Sequence, residues 1–233
     1  SDSAEAIKLR VDEVVNRIPF SREKPNDLSE TAESIKEEFR KMLSGEYSSD
    51  SLRTHIGDLD IQLGNQGIAP GEVVTLAAPT SCGKSALALN IALKMVTRND
   101  APCAVFSLEM PQKQLFRRMT QTLAGVNLKQ IQDGVISQDN MKKVDGAIDR
   151  LHSVPLYTSH NVKSAEDLAS QLRKLVDKQG VRIAVIDYLQ LIPFNSGKVS
   201  KAEGIANISH KIKQLALELN IGILLLAQVN REG

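Results

Sequence analysis

The stretch Val73-Val-Thr-Leu-Ala-Ala78-Pro-Thr-Ser-Cys-Gly83-Lys84-Ser85-Ala86 decides the fold of this chain. Its apolar first part predicts a buried strand over residues 73–78, and the Gly83-Lys84-Ser85 turn opens a segment of helical length. Backbone N–H groups of such a turn, with the free amides at the start of a helix, present a ring of donors to phosphate oxygens. We therefore expect a phosphate-binding loop between the strand and the helix.

Each residue type in this loop has its own chemical use. Lys84 would contact the β- and γ-phosphates as a point charge, and the Ser85 hydroxyl would offer an oxygen to Mg²⁺. The usual pattern has glycine where this chain has Ala78, a position at which a positive φ is therefore disfavoured. The alternative is a Gly-Lys-Ser turn that only begins an ordinary helix. The predicted cofactor contacts within the loop are Ser81, Cys82, Gly83, Lys84, Ser85 and Ala86.

Outward from the loop, short apolar runs alternate with segments of helical length. The predicted strands cover residues 73–78, 104–108, 155–158, 183–186 and 223–227. The predicted helices cover residues 84–96, 112–123, 139–151, 165–178 and 202–219. Such alternation gives right-handed crossovers, so residues 51–233 are predicted to form an α/β core with a mostly parallel central sheet flanked by helices.

The first fifty residues follow a different pattern. Apolar residues recur at helical spacing over residues 7–18, and again over residues 35–43 after the expected helix cap Ser29. Residues 44–51 are polar and typical of a linker, which places a domain boundary near residue 50. Residues 1–50 are thus predicted to be a helical linker or oligomerisation segment.

Composition excludes several classes of protein. Hydrophobic residues make up 42% and charged residues 24%, which excludes general disorder, and 3% aromatic residues disfavour binding through many stacked bases. The net charge of +1 is far from that of a dedicated basic nucleic-acid-binding domain. Two cysteines suggest neither a disulfide scaffold nor a zinc site. The cysteine usage fits a reducing compartment, no apolar run reaches the roughly 18 residues of a membrane span, and no secretory signal is evident, so we expect a cytoplasmic protein that does not associate with membranes.

Two acidic residues follow predicted strands. Asp187 comes after residues 183–186, and Glu109 follows residues 105–108. Ligands of parallel α/β sheets bind at the carboxyl ends of the strands, where Asp187 could anchor a metal and Glu109 could orient a water molecule for attack on a γ-phosphate. The alternatives are a turn or cap residue for Asp187 and a first-turn helix acid for Glu109.

Three further segments follow the loop in order: Ser107-Leu-Glu-Met110, Ile186-Asp-Tyr-Leu-Gln-Leu-Ile192 and Leu226-Ala-Gln-Val-Asn-Arg-Glu232. Together with the loop they resemble the RecA-like motor domain of DnaB-type replicative DNA helicases, over about residues 52–233. The resemblance implies ATP and Mg²⁺ as cofactors. It also implies roles for individual residues, with Lys84 and Ser85 on phosphates and metal, Asp187 on the metal, Glu109 as catalytic base, Gln228 as γ-phosphate sensor and Arg118 near the nucleotide base.

The resemblance also implies partners. The family threads single-stranded DNA through a hexameric ring, and residues 195–201 resemble its first DNA-gripping loop, with Lys198 and Lys201 as phosphate contacts. Residues 29–43 would dock onto the neighbouring subunit, and a primase or helicase loader would bind the assembly. The alternatives are an ordinary solvent loop for residues 195–201 and a solvated side chain for Arg118. Gln190 could link the metal strand to a moving loop or lie at the surface.

Two departures from the family pattern shape the functional expectation. First, the family's arginine finger and second DNA loop lie beyond the strand that carries Gln228, whereas the given sequence ends at Gly233. Second, the family's separate helical amino-terminal domain is not found in the given sequence. We expect an excised or shortened motor core that binds ATP and hydrolyses it slowly. The alternative is a RecA-like recombination, repair or clock-type assembly protein without unwinding activity. A small-molecule kinase would need an Arg-rich lid, which does not follow residue 110.

Overall fold

The computed structural model describes residues 28–44, 49–64, 66–127, 129–193 and 200–229 of the chain. The chain divides into two compact units, Ser1–Ser48 and Ser49–Gly233. In the first unit, helix α1 covers Leu28–Ser44. It begins one residue before Ser29, so the predicted cap lies inside the helix. The helix predicted over residues 7–18 falls outside the described residues.

The second unit is built on one five-stranded parallel sheet. Its strands are β1 (Val73–Ala78), β2 (Cys103–Ser107), β3 (Leu156–Ser159), β4 (Ile183–Asp187) and β5 (Gly222–Gln228). The strand order is β1-β5-β4-β2-β3, and every neighbouring pair is parallel. The predicted parallel α/β architecture is thereby confirmed, with strand limits that differ by at most one residue from those expected.

In the described part of this unit, one helix precedes β1, and the others connect the strands. They are α2 (Gly57–Gln62), α3 (Lys84–Arg98), α4 (Gln112–Ala124), α5 (Lys129–Gln132), α6 (Gln138–Ser153), α7 (Ala165–Gln179) and α8 (Lys201–Leu219). A short 3-10 helix, Leu189–Leu191, follows β4. The five helices predicted in this unit are present, whereas α2 and α5 were not predicted because so few residues show no helical period. No helix in the described ranges is long and apolar enough to cross a lipid bilayer.

The sheet is covered on both faces, as β4 illustrates. Ile183 and Val185 pack in a core cluster with residues of α3 and α4. Ala184 and Ile186 pack in a second cluster with residues of α7 and α8. Because successive side chains of a strand point to opposite faces, a strand between two helical layers must be apolar throughout. This explains the continuous apolar runs in the sequence.

The segment that leads into β1 is fixed by a single antiparallel bridge between Leu52 and Ile68. Gly67 precedes the bridge with a φ of +91°, and a Cβ atom there would lie 2.2 Å from the Leu52 carbonyl oxygen. Only glycine fits this close backbone approach. The bridge joins the start of the second unit to the segment just before β1.

The strand order determines which loops meet. Since the strands are parallel, β1, β5, β4 and β2 all end at the same edge of the sheet. Strand β5 lies between β1 and β4, so its last residue, Gln228, lies beside Ala78 in the β1 ladder. Ser107 at the end of β2 pairs with Asp187 at the end of β4. The sequence segments singled out above therefore converge.

Candidate active site

The turn between β1 and α3 has the backbone expected of a tight anion-binding loop. Ser81 and Gly83 have positive φ values of 63° and 85°. Ala78, where the usual pattern has its first glycine, is instead the last residue of β1 and pairs with Gln228. Since the left-handed conformations occur at residues 81 and 83, alanine at position 78 causes no backbone conflict.

The charges around this turn favour an anion. The Lys84 ammonium group donates hydrogen bonds to the carbonyl oxygens of Ala78 (2.5 Å) and Pro79 (2.8 Å), so it lies across the loop. Gly83 caps α3 without a side-chain hydrogen bond, and the first turn of α3 contains no acidic residue. The free amides at the helix start and the lysine charge therefore act together, without an acidic side chain in the first turn of the helix itself.

A cavity of 430 Å³ opens beside the turn. Six of the seven predicted cofactor contacts line it: Ser81, Gly83, Lys84, Ser85, Ala86 and Arg118. The seventh, Cys82, is exposed in the same turn and is not among the lining residues. Glu109, Asp187 and Gln228 complete the predicted set in the cavity wall. Thr80, Met110, Gln114 and Tyr188 also line it and were not predicted; the first, second and fourth lie within the quoted segments but have no assigned chemical role there, and Gln114 lies outside those segments.

Asp187 is the unusual group of this cavity. Its side chain is buried, with the residue only 4% exposed, and its Oδ1 atom has no hydrogen-bond partner among the described residues. Burial raises the pKa of Asp187; the Ser85 hydroxyl acts in the opposite direction, and the Glu109 charge raises the pKa further. The nearby cations Lys84 and Arg118 favour the ionised form. A buried carboxylate with a free oxygen beside a hydroxyl is a fitting ligand pair for a hard cation such as Mg²⁺.

The alternative interpretation of Asp187 as a helix cap does not hold. Tyr188, rather than Asp187, is the N-cap residue of the 3-10 helix that follows β4. The Asp187 carbonyl oxygen accepts a hydrogen bond from the Leu108 amide at 2.8 Å, which continues the ladder between β2 and β4. The Asp187 backbone thus belongs to the sheet, and its side chain lines the cavity.

Glu109 lies in the bend between β2 and α4. Pro111 is the N-cap residue of α4, and the first turn of that helix contains no acidic residue. The alternative interpretation of Glu109 as a first-turn helix acid is therefore wrong. Glu109 is exposed to solvent, lines the cavity and lies close enough to Asp187 to influence its carboxyl group.

Arg118 and Gln190 had two open interpretations each. Arg118 is exposed on α4 and lines both the 430 Å³ cavity and a neighbouring cavity of 510 Å³, with Ala86 shared between the two. Gln190 is half-buried in the 3-10 helix, and its side chain hydrogen bonds to the backbone of Gln228. Gln190 therefore links the β4 side of the sheet to the end of β5.

The two predicted DNA contacts, Lys198 and Lys201, are not among the described side chains. Residues 194–199, which include Lys198, lie outside the described residues. Lys201 is the first residue of α8, and its side chain is also outside the described part of the structure. The assignment of these two lysines to DNA remains a prediction.

Known proteins are similar to this chain both in amino-acid sequence and in fold. The family described as DnaB-like helicase C terminal domain matches residues 51–233. The replicative DNA helicase DnaB of Buchnera aphidicola subsp. Schizaphis graminum is 30% identical over 88% of this chain and 43% of its own length. That of Helicobacter pylori is 35% identical over 73% of this chain and 36% of its own length. The chain thus spans less than half the length of these relatives.

Two solved structures are similar in fold to this chain. One, described as an ATPase domain, superposes with a TM-score of 0.80 and 26% identity, over 90% of this chain and 73% of that one. A DnaB-like replicative helicase, whose structure was described with its interactions with primase, gives a TM-score of 0.77 and 25% identity over 97% of this chain and 54% of that one. The chain belongs to the DnaB-like helicase C-terminal domain family, with the RecA-like fold that its motifs predict.

Proposed function

We propose that this chain is the ATP-hydrolysing motor part of a replicative DNA helicase. The observation that supports the proposal most is the composition of one cavity wall. A loop lysine, a buried carboxylate with a free oxygen, an exposed carboxylate and a strand-terminal amide all line the same 430 Å³ space. A cavity of this size lies within the range of small-molecule and cofactor sites.

Phosphate binding would begin with Lys84 and the turn before it. The Lys84 ammonium group would exchange its hydrogen bonds to the Ala78 and Pro79 carbonyls for charge-assisted ones to phosphate oxygens. Backbone N–H groups of the turn and of the start of α3 would supply the other donors. Binding of the triphosphate thus depends chiefly on charge and backbone geometry, to which Ser81 and Gly83 contribute their positive φ angles.

Ser85 and Asp187 would hold Mg²⁺, which when bound screens the negative charge of the phosphates. A nearby cation would satisfy the free Oδ1 of Asp187 and favour the ionised carboxylate, which burial otherwise disfavours. Glu109 is exposed and would orient the attacking water molecule and accept its proton. Gln228 would donate a hydrogen bond to the γ-phosphate and lose it after hydrolysis, giving the end of β5 two states.

Two substitutions separate binding from chemistry. Lys84→Ala should weaken binding of the magnesium–ATP complex at least about tenfold, because it removes a charge-assisted contact. Glu109→Gln should leave that affinity nearly unchanged and slow turnover by about 10²-fold or more, because it removes only the proton acceptor. Lys143→Ala, at an exposed position of α6, is the matched control and should change neither quantity. Equal loss of affinity in the Lys84 and Glu109 variants would refute the assignment.

We extend the proposal to single-stranded DNA within a hexameric ring in the cytoplasm, with a primase or helicase loader as partner. The family membership of residues 51–233 supports this extension. Lys198→Ala combined with Lys201→Ala should lower DNA affinity and flatten its salt dependence without changing nucleotide affinity. Removal of residues 1–50 should abolish self-association, and an unchanged sedimentation profile would contradict the docking role of that segment.

The other RecA-like function, nucleotide-controlled assembly without unwinding, would use the same cavity. The family match and the similarity to DnaB helicases favour the motor. Displacement of a strand from a forked DNA duplex by a full-length version of the protein, lost in the Lys84→Ala or Glu109→Gln variant, distinguishes the two functions. Nucleotide-dependent assembly on DNA without strand displacement would support the second function instead.

A further inference from the structure

Strands β4 and β5 do not pair along their whole length. Their ladder runs from Ile183 beside Gly222 to Ile186 beside Leu225 and stops there. Strand β4 ends at Asp187 and its chain turns into the 3-10 helix, whereas β5 continues to Gln228. The last three residues of β5 therefore keep β1 as a neighbour on one side, and no described strand pairs with them on the other.

The side chain of Gln190 takes the place of the missing strand. Its Nε2 atom donates to the Gln228 carbonyl oxygen at 2.8 Å, and its Oε1 atom accepts from the Gln228 amide at 3.1 Å. A carboxamide carries one donor and one acceptor side by side, as a peptide group does, so it forms both bonds of a strand pair. Glutamate would keep the acceptor but lose the donor.

The backbone of Gln228 is thus held on both sides, by Ala78 of β1 and by Gln190. Its side chain is in a different situation. Within the described residues, no hydrogen bond involves the Gln228 side chain, which lines the cavity together with Lys84 and Asp187. The backbone of Gln228 is thus fixed, whereas its side-chain amide is available to form a hydrogen bond with a ligand. This combination suits a side chain that must contact a ligand at one defined position.

Gln190 itself is not among the residues that line the cavity. It lies three residues after Asp187, in the turn that begins where β4 ends. Any contribution of Gln190 to the site must therefore pass through the residue that it holds. Its two hydrogen bonds set the position of Gln228 relative to the segment that carries Asp187.

We propose that Gln190 is a positioning residue that fixes Gln228 so that the cavity distinguishes a nucleoside triphosphate from a diphosphate. This inference rests on the proposed function, because it assumes that a nucleotide binds in the cavity. It assigns to Gln190 no contact with the nucleotide. Loss of the two hydrogen bonds leaves Lys84 and the loop unchanged but lets the Gln228 amide lie away from the γ-phosphate.

The test measures the affinities of a non-hydrolysable ATP analogue and of ADP, both with Mg²⁺, by titration calorimetry on the 233-residue chain. In Gln190→Glu and Gln190→Ala, we expect the preference for the triphosphate to fall by about 3- to 10-fold, the factor for one lost hydrogen bond. ADP affinity should change by less than about twofold, since ADP lacks the γ-phosphate. Gln214→Glu, an equal change at an exposed position of α8, should leave the preference unaltered.

A double-variant cycle shows whether Gln190 acts through Gln228. Gln190→Ala added to Gln228→Ala should produce no further loss of preference, because the group to be positioned is already gone. An unchanged preference in both Gln190 variants, or an equal fall in ADP and triphosphate affinity, would overturn the inference and leave the proposed function intact. Failure of the unaltered chain to bind either nucleotide would instead overturn the proposed function.

Discussion

Replacement of Asp187 by asparagine should stabilise the chain in the absence of divalent cations. The Asp187 side chain is buried, and no hydrogen bond reaches its Oδ1 atom from the part of the chain that the structure describes. Asparagine has nearly the same shape but no charge, so the variant avoids the cost of holding a carboxylate away from water. A residue that binds a cation would then reduce stability whenever the cation is absent.

The expected size follows from the unpaired atom. Leaving a buried polar group unsatisfied costs about 1–3 kcal/mol, and more when the group is charged. Because asparagine also leaves one polar atom unpaired, only the part due to the charge is recovered, which we take as about 1–2 kcal/mol of unfolding free energy. In a chain of this size each kcal/mol shifts the Tm by about 2–4 °C, so the Tm should rise by about 2–8 °C.

The same substitution should change the pH dependence. Burial raises the pKa of Asp187 in the folded state above its unfolded value. Between the two pKa values the folded state binds more protons, so stability falls as pH rises through that interval and stays lower above it. The asparagine variant lacks this fall, and its advantage should therefore grow with pH.

Thermal unfolding with a chelator and with millimolar Mg²⁺, at several pH values, measures these effects. Mg²⁺ should stabilise the unaltered chain more than the Asp187→Asn variant, since binding to the folded state raises its stability. Asp149→Asn, at an exposed position of α6, is the matched control and should have little effect. A less stable Asp187→Asn variant, or equal stabilisation of both chains by Mg²⁺, would refute the reasoning.

Two further predictions concern the loop and the segment before β1. Cys82 is exposed, whereas burial raises the pKa of the Cys103 thiol to about 12. A maleimide should therefore modify Cys82 alone, and the adduct should block nucleotide binding. Mass spectrometry identifies the labelled residue, and comparable labelling of Cys103 would contradict this prediction. Gly67→Ala should lower the free energy of unfolding by about 3–5 kcal/mol, because the added Cβ atom would meet a backbone oxygen at a residue with positive φ. Gly134 also has a positive φ, but no atom of the described residues lies near the position of an added Cβ atom. Gly134→Ala should therefore cost only about 1–2 kcal/mol, and denaturant titrations measure both values.

Elements buried on both faces were the most predictable from the sequence. Strands β2, β4 and β5 were found within one residue because a strand between two helical layers is a continuous apolar run with polar ends; the edge strands β1 and β3, which are only partly buried, were found as closely. The short helices α2 and α5 carry no such signal. The strand order could not be predicted either, because periodicity identifies a strand but not its neighbours.

In the site, too, some features could be predicted from the sequence and others could not. The meeting of Glu109 and Asp187 was predictable, since parallel strands end at one edge. Their different surroundings were not, because burial of Asp187 depends on residues from several elements. The partner of Gln190 lies 38 residues away and depends on where β4 and β5 diverge, which no local pattern records. For the same reason Cys82 could not be distinguished from its neighbours in the loop.

A crystal structure of the chain with Mg²⁺ and a non-hydrolysable ATP analogue tests the central claim most directly. We expect the triphosphate in the 430 Å³ cavity, with the Lys84 ammonium group moved from the Ala78 and Pro79 carbonyls onto phosphate oxygens. The magnesium ion should lie beside Ser85 and Asp187. An empty cavity at saturating nucleotide, or a nucleotide bound elsewhere with Lys84 still on the two carbonyls, would contradict the account.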